Sequence, residues 1–123
     1  MLNENELWQR IRGLQGQIVC TLDQQRPNRI SRVTDEMIEI ENRGTRPARQ
    51  DVIQVYRQLH RRGEITGNDL YGESSIVGDQ LANKSGRIIM AILARAVPEE
   101  ICVIKRSKTE RLSGIRLKSK MEC

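Results

Sequence analysis

Two stretches of this chain repeat apolar residues at the spacing of a helix face, and the second runs directly into a basic, strand-like tail. Val52, Val55, Tyr56 and Leu59 fall at i, i+3, i+4 and i+7, and Ile89, Ile92, Leu93 and Ala96 repeat that spacing. Stripes of this kind have to be buried. Helices over 48–62 and 85–97, facing each other in one core, are therefore the first expectation. The material for that core is narrow. There is no Phe among the 123 residues, and Trp8, Tyr56 and Tyr71 are the only aromatics, so Ile, Leu, Val and Ala must fill the interior. Such a core is small, and a homodimer sharing buried surface is one way to enlarge it.

The elements around the two stripes read as α+β. Leu7, Ile11 and Leu14 predict a helix over 3–15 that Gly16 can stop. Its apolar face, with Trp8 beside it, either packs on a sheet or forms a dimer seam. QIVCTL (17–22), RISRV (29–33) and MIEIE (37–41) read as three strands of an antiparallel meander, with DQQRPN a turn punctuated by Pro27 and Asn28. Gly63 is placed to end the first strong helix in a left-handed cap. Glu64 to Thr66 is a short extended piece whose Thr66 can cap a new helix. Residues 67–73 form a weak helix or a turn, and 75–82 is a further helical candidate. Ser85 can cap the second strong helix and Pro98 closes it. The runs ICVIKR and GIRLK, joined by SKTERLS, then predict a hairpin. The expected fold is an N-terminal helix and three-stranded antiparallel meander (1–47), then a winged helix-turn-helix-like half of the same domain (48–118), then a short tail (119–123).

Charge is distributed unevenly over this plan. Residues 101–123 hold seven Lys and Arg against Glu110 and Glu122, while the first hundred residues hold fourteen basic and fourteen acidic side chains. The tail therefore carries the whole net charge of +5. A concentrated patch of this sign neutralises backbone phosphates and releases their counterions. In a winged helix the helix before the hairpin offers its N-terminal turn to base edges, and the hairpin grips the backbone. Here that turn supplies Asn83, Lys84, Ser85 and Arg87, and the wing supplies Lys105, Arg106, Lys108 and Arg111. Asn suits adenine and Arg suits guanine, while Ser and Lys commonly hold phosphate. Arg29, Arg46 and Arg49 extend the candidate surface, since arginine favours bidentate contacts with phosphate or guanine. Asp35, Glu36, Glu39 and Glu41 are the counterweight, expected as cross-strand partners of Arg26, Arg29 and Arg32.

Taken together, TLDQQRPNRISRV, MIEIENRGTRP, a helix ending LHRRGEITGNDL, and SGRIIMAILARAVP resemble a small module found beside nuclease domains in prokaryotic restriction and phage-defence proteins. The resemblance spans roughly 7–104 and departs from the module between Leu70 and Gly86, a stretch longer and richer in Gly and Ser than a tight turn needs. It implies DNA binding. It does not extend to cleavage, because no nuclease domain is present in this chain.

Other chemistry finds little footing. The one histidine, His60, lies at a helix end between Leu59 and two arginines. There is no GxSxG, Walker or dinucleotide-binding fingerprint. The three cysteines, Cys20, Cys102 and Cys123, are too scattered for a zinc site, and Cys20 and Cys102 fall in strand-like runs where small buried thiols are ordinary. No metal, cofactor or catalytic residue is expected, and the reading is non-enzymatic. Few aromatics argue against an RNA-reading sheet. No apolar run approaches the ~20 residues of a membrane span, and the acidic N-terminus lacks the features of a signal peptide, so a cytoplasmic protein with double-stranded DNA as its partner is expected. The rival class is a protein-interaction protein, such as a phage- or plasmid-encoded inhibitor or a subunit of a defence complex, docking on an acidic partner.

Overall fold

The two segments with helical spacing form helices that pack on each other. In the computed structural model the described residues are 1–22, 26–41, 44, 46–66, 85–104 and 114–118, with the side chain of Ser85 excepted. The candidate helices at 67–73 and 75–82 lie outside them. The element order is α1 (Glu4–Arg12), β1 (Ile18–Cys20), β2 (Pro27–Val33), β3 (Ile38–Ile40), α2 (Arg49–Arg62), β4 (Glu64–Thr66), α3 (Ser85–Ala96), β5 (Ile101–Ile104) and β6 (Gly114–Leu117). The fold is mixed α+β, with two small antiparallel sheets ordered β1-β2-β3 and β4-β6-β5.

Each helix end has a local cause. The Asn3 side chain accepts from Glu6 N at 2.8 Å while Glu6 Oε1 accepts from Asn3 N at 3.1 Å, a reciprocal cap that starts α1. α1 stops at Arg12, earlier than expected, and Gly16 serves the next step instead. At φ +86° it turns the chain so that its N–H donates to Ile30 O at 2.7 Å. α2 has no side-chain cap; Arg49 N donates to Glu36 O at 2.7 Å, so the β2–β3 turn caps it through the backbone. Gly63 ends α2 as expected, left-handed and donating to Leu59 O at 2.7 Å.

The meander forms, with one correction. Pro27 and Asn28, expected in the turn, are the first residues of β2 and pair with Cys20 and Val19. Pro lacks an N–H, and the first position of a strand tolerates that. β2 then meets β3 with a register shift between Ile30 and Arg32, where the Ser31 hydroxyl donates to Glu39 O at 3.0 Å. The cysteines also differ from expectation. Val19 faces the core and leaves Cys20 exposed and free, while Cys102 is disulfide-bonded.

One cluster of buried, mostly aliphatic residues spans both halves of the chain. Leu7, Trp8, Ile11 and Leu14 belong to it, so the N-terminal helix packs into the core of its own chain. Trp8 also donates through Nε1 to Thr34 O at 2.7 Å. Both predicted stripes are buried, but α3 goes further. Ile88, Met90 and Ala91 are buried as well, and α1, α2, β1, β5 and β6 surround the helix. A helix apolar on all sides is a central helix, not a surface one.

Close approach fixes one further residue. A Cβ on Gly114 would stand 2.2 Å from Ile65 O and 2.9 Å from Thr66 Cα, so β4 can pair with β6 only across a glycine. We expect Gly114→Ala to destabilise the fold by about 1–3 kcal/mol in urea unfolding. A neutral result would mean that β4 does not seat on β6. Leu7→Asp with Ile11→Asp should abolish the cooperative transition, and a folded monomer carrying both changes would contradict the placement of α1 in the core.

Candidate nucleic-acid interface

The antiparallel pair β5–β6 is the element nearest the predicted wing. Its register runs Ile101↔Leu117, Cys102↔Arg116, Val103↔Ile115 and Ile104↔Gly114. Residues 105–113 join the two strands, and Lys105, Arg106, Lys108 and Arg111 all fall in that connection, outside the described residues. Asn83 and Lys84 lie outside them too, as does the side chain of Ser85.

The described candidates divide by what they touch. Arg49 is half-buried and works for the fold: its guanidinium lies 5.3 Å from the Trp8 ring centre, pairs with Glu4 at 3.3 Å, and donates to Asn5 Oδ1 at 3.1 Å and Asp35 O at 3.3 Å. Arg29 pairs with Glu41 at 3.4 Å and donates to Gly16 O at 3.3 Å. Arg32 pairs with Glu39 at 2.7 Å. Arg29 and Arg32 thus form the cross-strand pairs expected with the acidic run, whereas the side chain of Arg26, expected to do the same, makes no pair among the described residues. Arg46 is exposed and makes no side-chain bond among the described residues, whereas Arg87 is exposed and has a partner within the chain. Past its first turn α3 exposes only Arg95, with Ala94 half-buried, and Arg95 donates to Gln17 Oε1 at 3.3 Å. Any reading of bases from this helix is thus confined to the turn around 83–87.

A polar cluster that sequence reasoning missed joins α2 to the α3–β5 turn. Tyr56 donates from its hydroxyl to Glu100 Oε1 at 2.7 Å, and His60 Nε2 meets the same oxygen at 3.0 Å. The Tyr56 and His60 rings stand edge to face at 4.7 Å. Burial pushes the Tyr56 hydroxyl well above its ordinary value. Burial also opposes the Glu100 carboxylate, but hydrogen bonds from Tyr56 and His60 outweigh it and hold its pKa below the usual 4.5. Tyr56 sits on the apolar stripe and Glu100 lies 40 residues beyond His60, so no local spacing announced the cluster. Among the described residues no three His, Cys, Asp or Glu side chains converge as a metal site would need. No helix among them is long and apolar enough to cross a membrane.

No family model matches the chain, and no curated protein or solved structure matches it.

The depressed Glu100 pKa carries a sign. A carboxylate held below its unfolded value adds stability that is present above that value and lost as pH falls through the folded one. The stability gap between the wild-type chain and Glu100→Gln should narrow as pH falls below about 4.5, where the carboxylate takes up its proton. Tyr56→Phe, which removes one of the opposing hydrogen bonds, should cost about 1.5–3 kcal/mol at pH 7. Thermal unfolding across pH checks both, and a gap independent of pH down to 3 would contradict the network.

Proposed function

We propose that this chain is a non-enzymatic double-stranded DNA-binding protein whose second half is a winged helix-turn-helix. Helix α2, strand β4, helix α3 and the β5–β6 hairpin follow one another in the order of that motif, and β6 lies between β4 and β5. The observation that carries the reading is the β5–β6 pair together with the residues that join it. Two strands in tight register present a nine-residue connection, 105–113, with Lys105, Arg106, Lys108 and Arg111 against a single Glu110. Basic side chains carried between two paired strands are suited to contact duplex phosphates.

The division of labour follows from burial. The wing supplies most of the affinity through phosphate contacts. Asn83 and Lys84, which precede α3 in the chain, and Ser85 and Arg87 at its start approach the groove and supply what sequence preference there is. The enclosed remainder of α3 positions that turn. Arg46 adds a peripheral phosphate contact. The reading places the chain among restriction-associated, phage-defence or transcriptional DNA binders.

Replacing Lys105, Arg106, Lys108 and Arg111 together by Ser should weaken binding to every duplex and flatten the log–log salt slope by about 0.9 for each phosphate no longer neutralised. Arg87→Ala should change the ranking of duplexes more than the mean affinity. Fluorescence anisotropy with labelled 20-base-pair duplexes between 50 and 200 mM salt measures both. Absence of binding at the lowest salt would refute the proposal.

A further inference from the structure

Glu100 stands at the root of the β5–β6 hairpin, one residue before β5 begins. Its backbone carbonyl accepts from Lys118 N at 2.9 Å, which closes the two strands at that end. Its carboxylate is held by α2: Oε1 accepts from the Tyr56 hydroxyl at 2.7 Å and meets His60 Nε2 at 3.0 Å. Two further links fasten the same end of the hairpin just beyond that helix. Leu117 N donates to Gly63 O at 2.9 Å, and Arg116 pairs with Glu64 at 3.1 Å. His60 is the single histidine of the chain, and imidazole is the side chain that ordinarily changes charge between pH 5 and 8. A protonated ring donates a charge-assisted bond to the carboxylate, roughly twice as strong as a neutral one. The side chains of His60 and Glu100 are only 19% and 21% exposed, so salt screens the pair weakly.

The other charges around this pair are engaged or face elsewhere. The Met1 amine lies 3.6 Å from the second carboxylate oxygen, Oε2, and Glu99 is bound to Arg10 at 2.9 Å. On α2, Arg57 lies 3.7 Å from Glu4, and Arg61 and Arg62 are exposed on the last turn. Among the described residues, Glu100 is the one carboxylate that His60 meets. Strand residues advance ~3.3 Å each, so Ile104 lies about 13 Å from Glu100, and a small tilt at the root is enlarged at that end. Freedom of that kind has to be given up when phosphates are bound. We propose that Glu100 and His60 are positioning residues for the basic connection 105–113: their contact seats the root of the hairpin on α2, and protonation of His60 tightens the seat, so that duplex phosphates are held more strongly at lower pH. The effect on DNA rests on the proposed function, whereas the seating of the hairpin does not.

Nuclear magnetic resonance on the free full chain reads the seat without DNA. From about pH 5.5 to 8 the backbone amide signals of Ile101, Leu117 and Lys118 should follow the same titration curve as the His60 ring. They should cease to follow it in Glu100→Gln. Duplex affinity, measured by anisotropy at constant salt, should be about two- to fivefold tighter at the acid end for the wild-type chain. That gain should vanish in His60→Gln, which keeps an N–H donor for Glu100 but never carries a charge. The Met1 amine is the same in both chains and cancels in the comparison. The salt slope should be equal in the two, because no phosphate contact is removed. Circular dichroism verifies folding, and His60→Gln, the milder change, decides the matter if Glu100→Gln does not fold. Root amides that ignore His60, or the same pH dependence of affinity in His60→Gln, would overturn the proposal. Coupled titration in a chain that binds no duplex at any pH would refute the proposed function and leave the seat standing.

Discussion

A helix that is apolar around most of its circumference has to be enclosed on every side, and in this chain α3 is that helix. No single neighbour can enclose it. α2 covers one side, β5 and β6 another, and α1 with β1 closes the rest. The N-terminal helix and meander are therefore part of the same core as the second half, which is why Leu7, Ile11 and Ile30 are as deeply buried as Ile89 and Ile92. An interior with no Phe and few aromatics is assembled from many small aliphatic contacts, each weak and collectively large. The same enclosure limits function: a helix walled in by five elements has no long face to lay in a groove, so binding chemistry must sit where the core ends. In the proposed function those places are the residues 105–113 that join β5 to β6 and the start of α3.

Arginine use follows this division. In the first half, most arginines hold the fold together. Arg49 ties Trp8, Glu4, Asn5 and the Asp35 carbonyl into one junction between the meander and α2, and Arg10, Arg12, Arg29 and Arg32 each meet a carboxylate. Exposed pairs of this kind contribute at most about 1 kcal/mol each. Their larger effect is on specificity, since a paired guanidinium is not available to a phosphate. The side chains of Arg26, Arg46, Arg61 and Lys118 are exposed and make no hydrogen bond or ion pair among the described residues. Net charge along the chain is thus a better guide to the surface than the count of arginines.

Much of the fold was legible because it rests on short-range periodicity. The α2 stripe, the Gly63 cap, the β3 alternation of Ile38 and Ile40 and the β5–β6 hairpin all follow from residues close to one another in the chain. What was not legible depends on distant partners. Pro27 and Asn28 read as a turn, and only their pairing with β1 makes them strand. α3 shows an ordinary stripe, and the identity of Ile88, Met90 and Ala91 as core follows only once α1 and β1 are placed over them. The candidate site divides likewise. The basic connection was visible as composition, whereas the role of Arg49 needed Trp8 at 5.3 Å and the Glu100 cluster needed a 40-residue separation to close.

The central claim is that duplex DNA is held by the edges of a closed scaffold, chiefly by the basic connection between β5 and β6, and not by the length of α3. Amide hydrogen exchange, followed by mass spectrometry with and without a saturating 20-base-pair duplex, tests it most directly. The account predicts new protection in peptides covering 105–113, a smaller gain around 83–87, and no change in peptides covering 89–96, whose amides are already enclosed. Protection that appears along α2 or over 89–96 while 105–113 stays unchanged would contradict it.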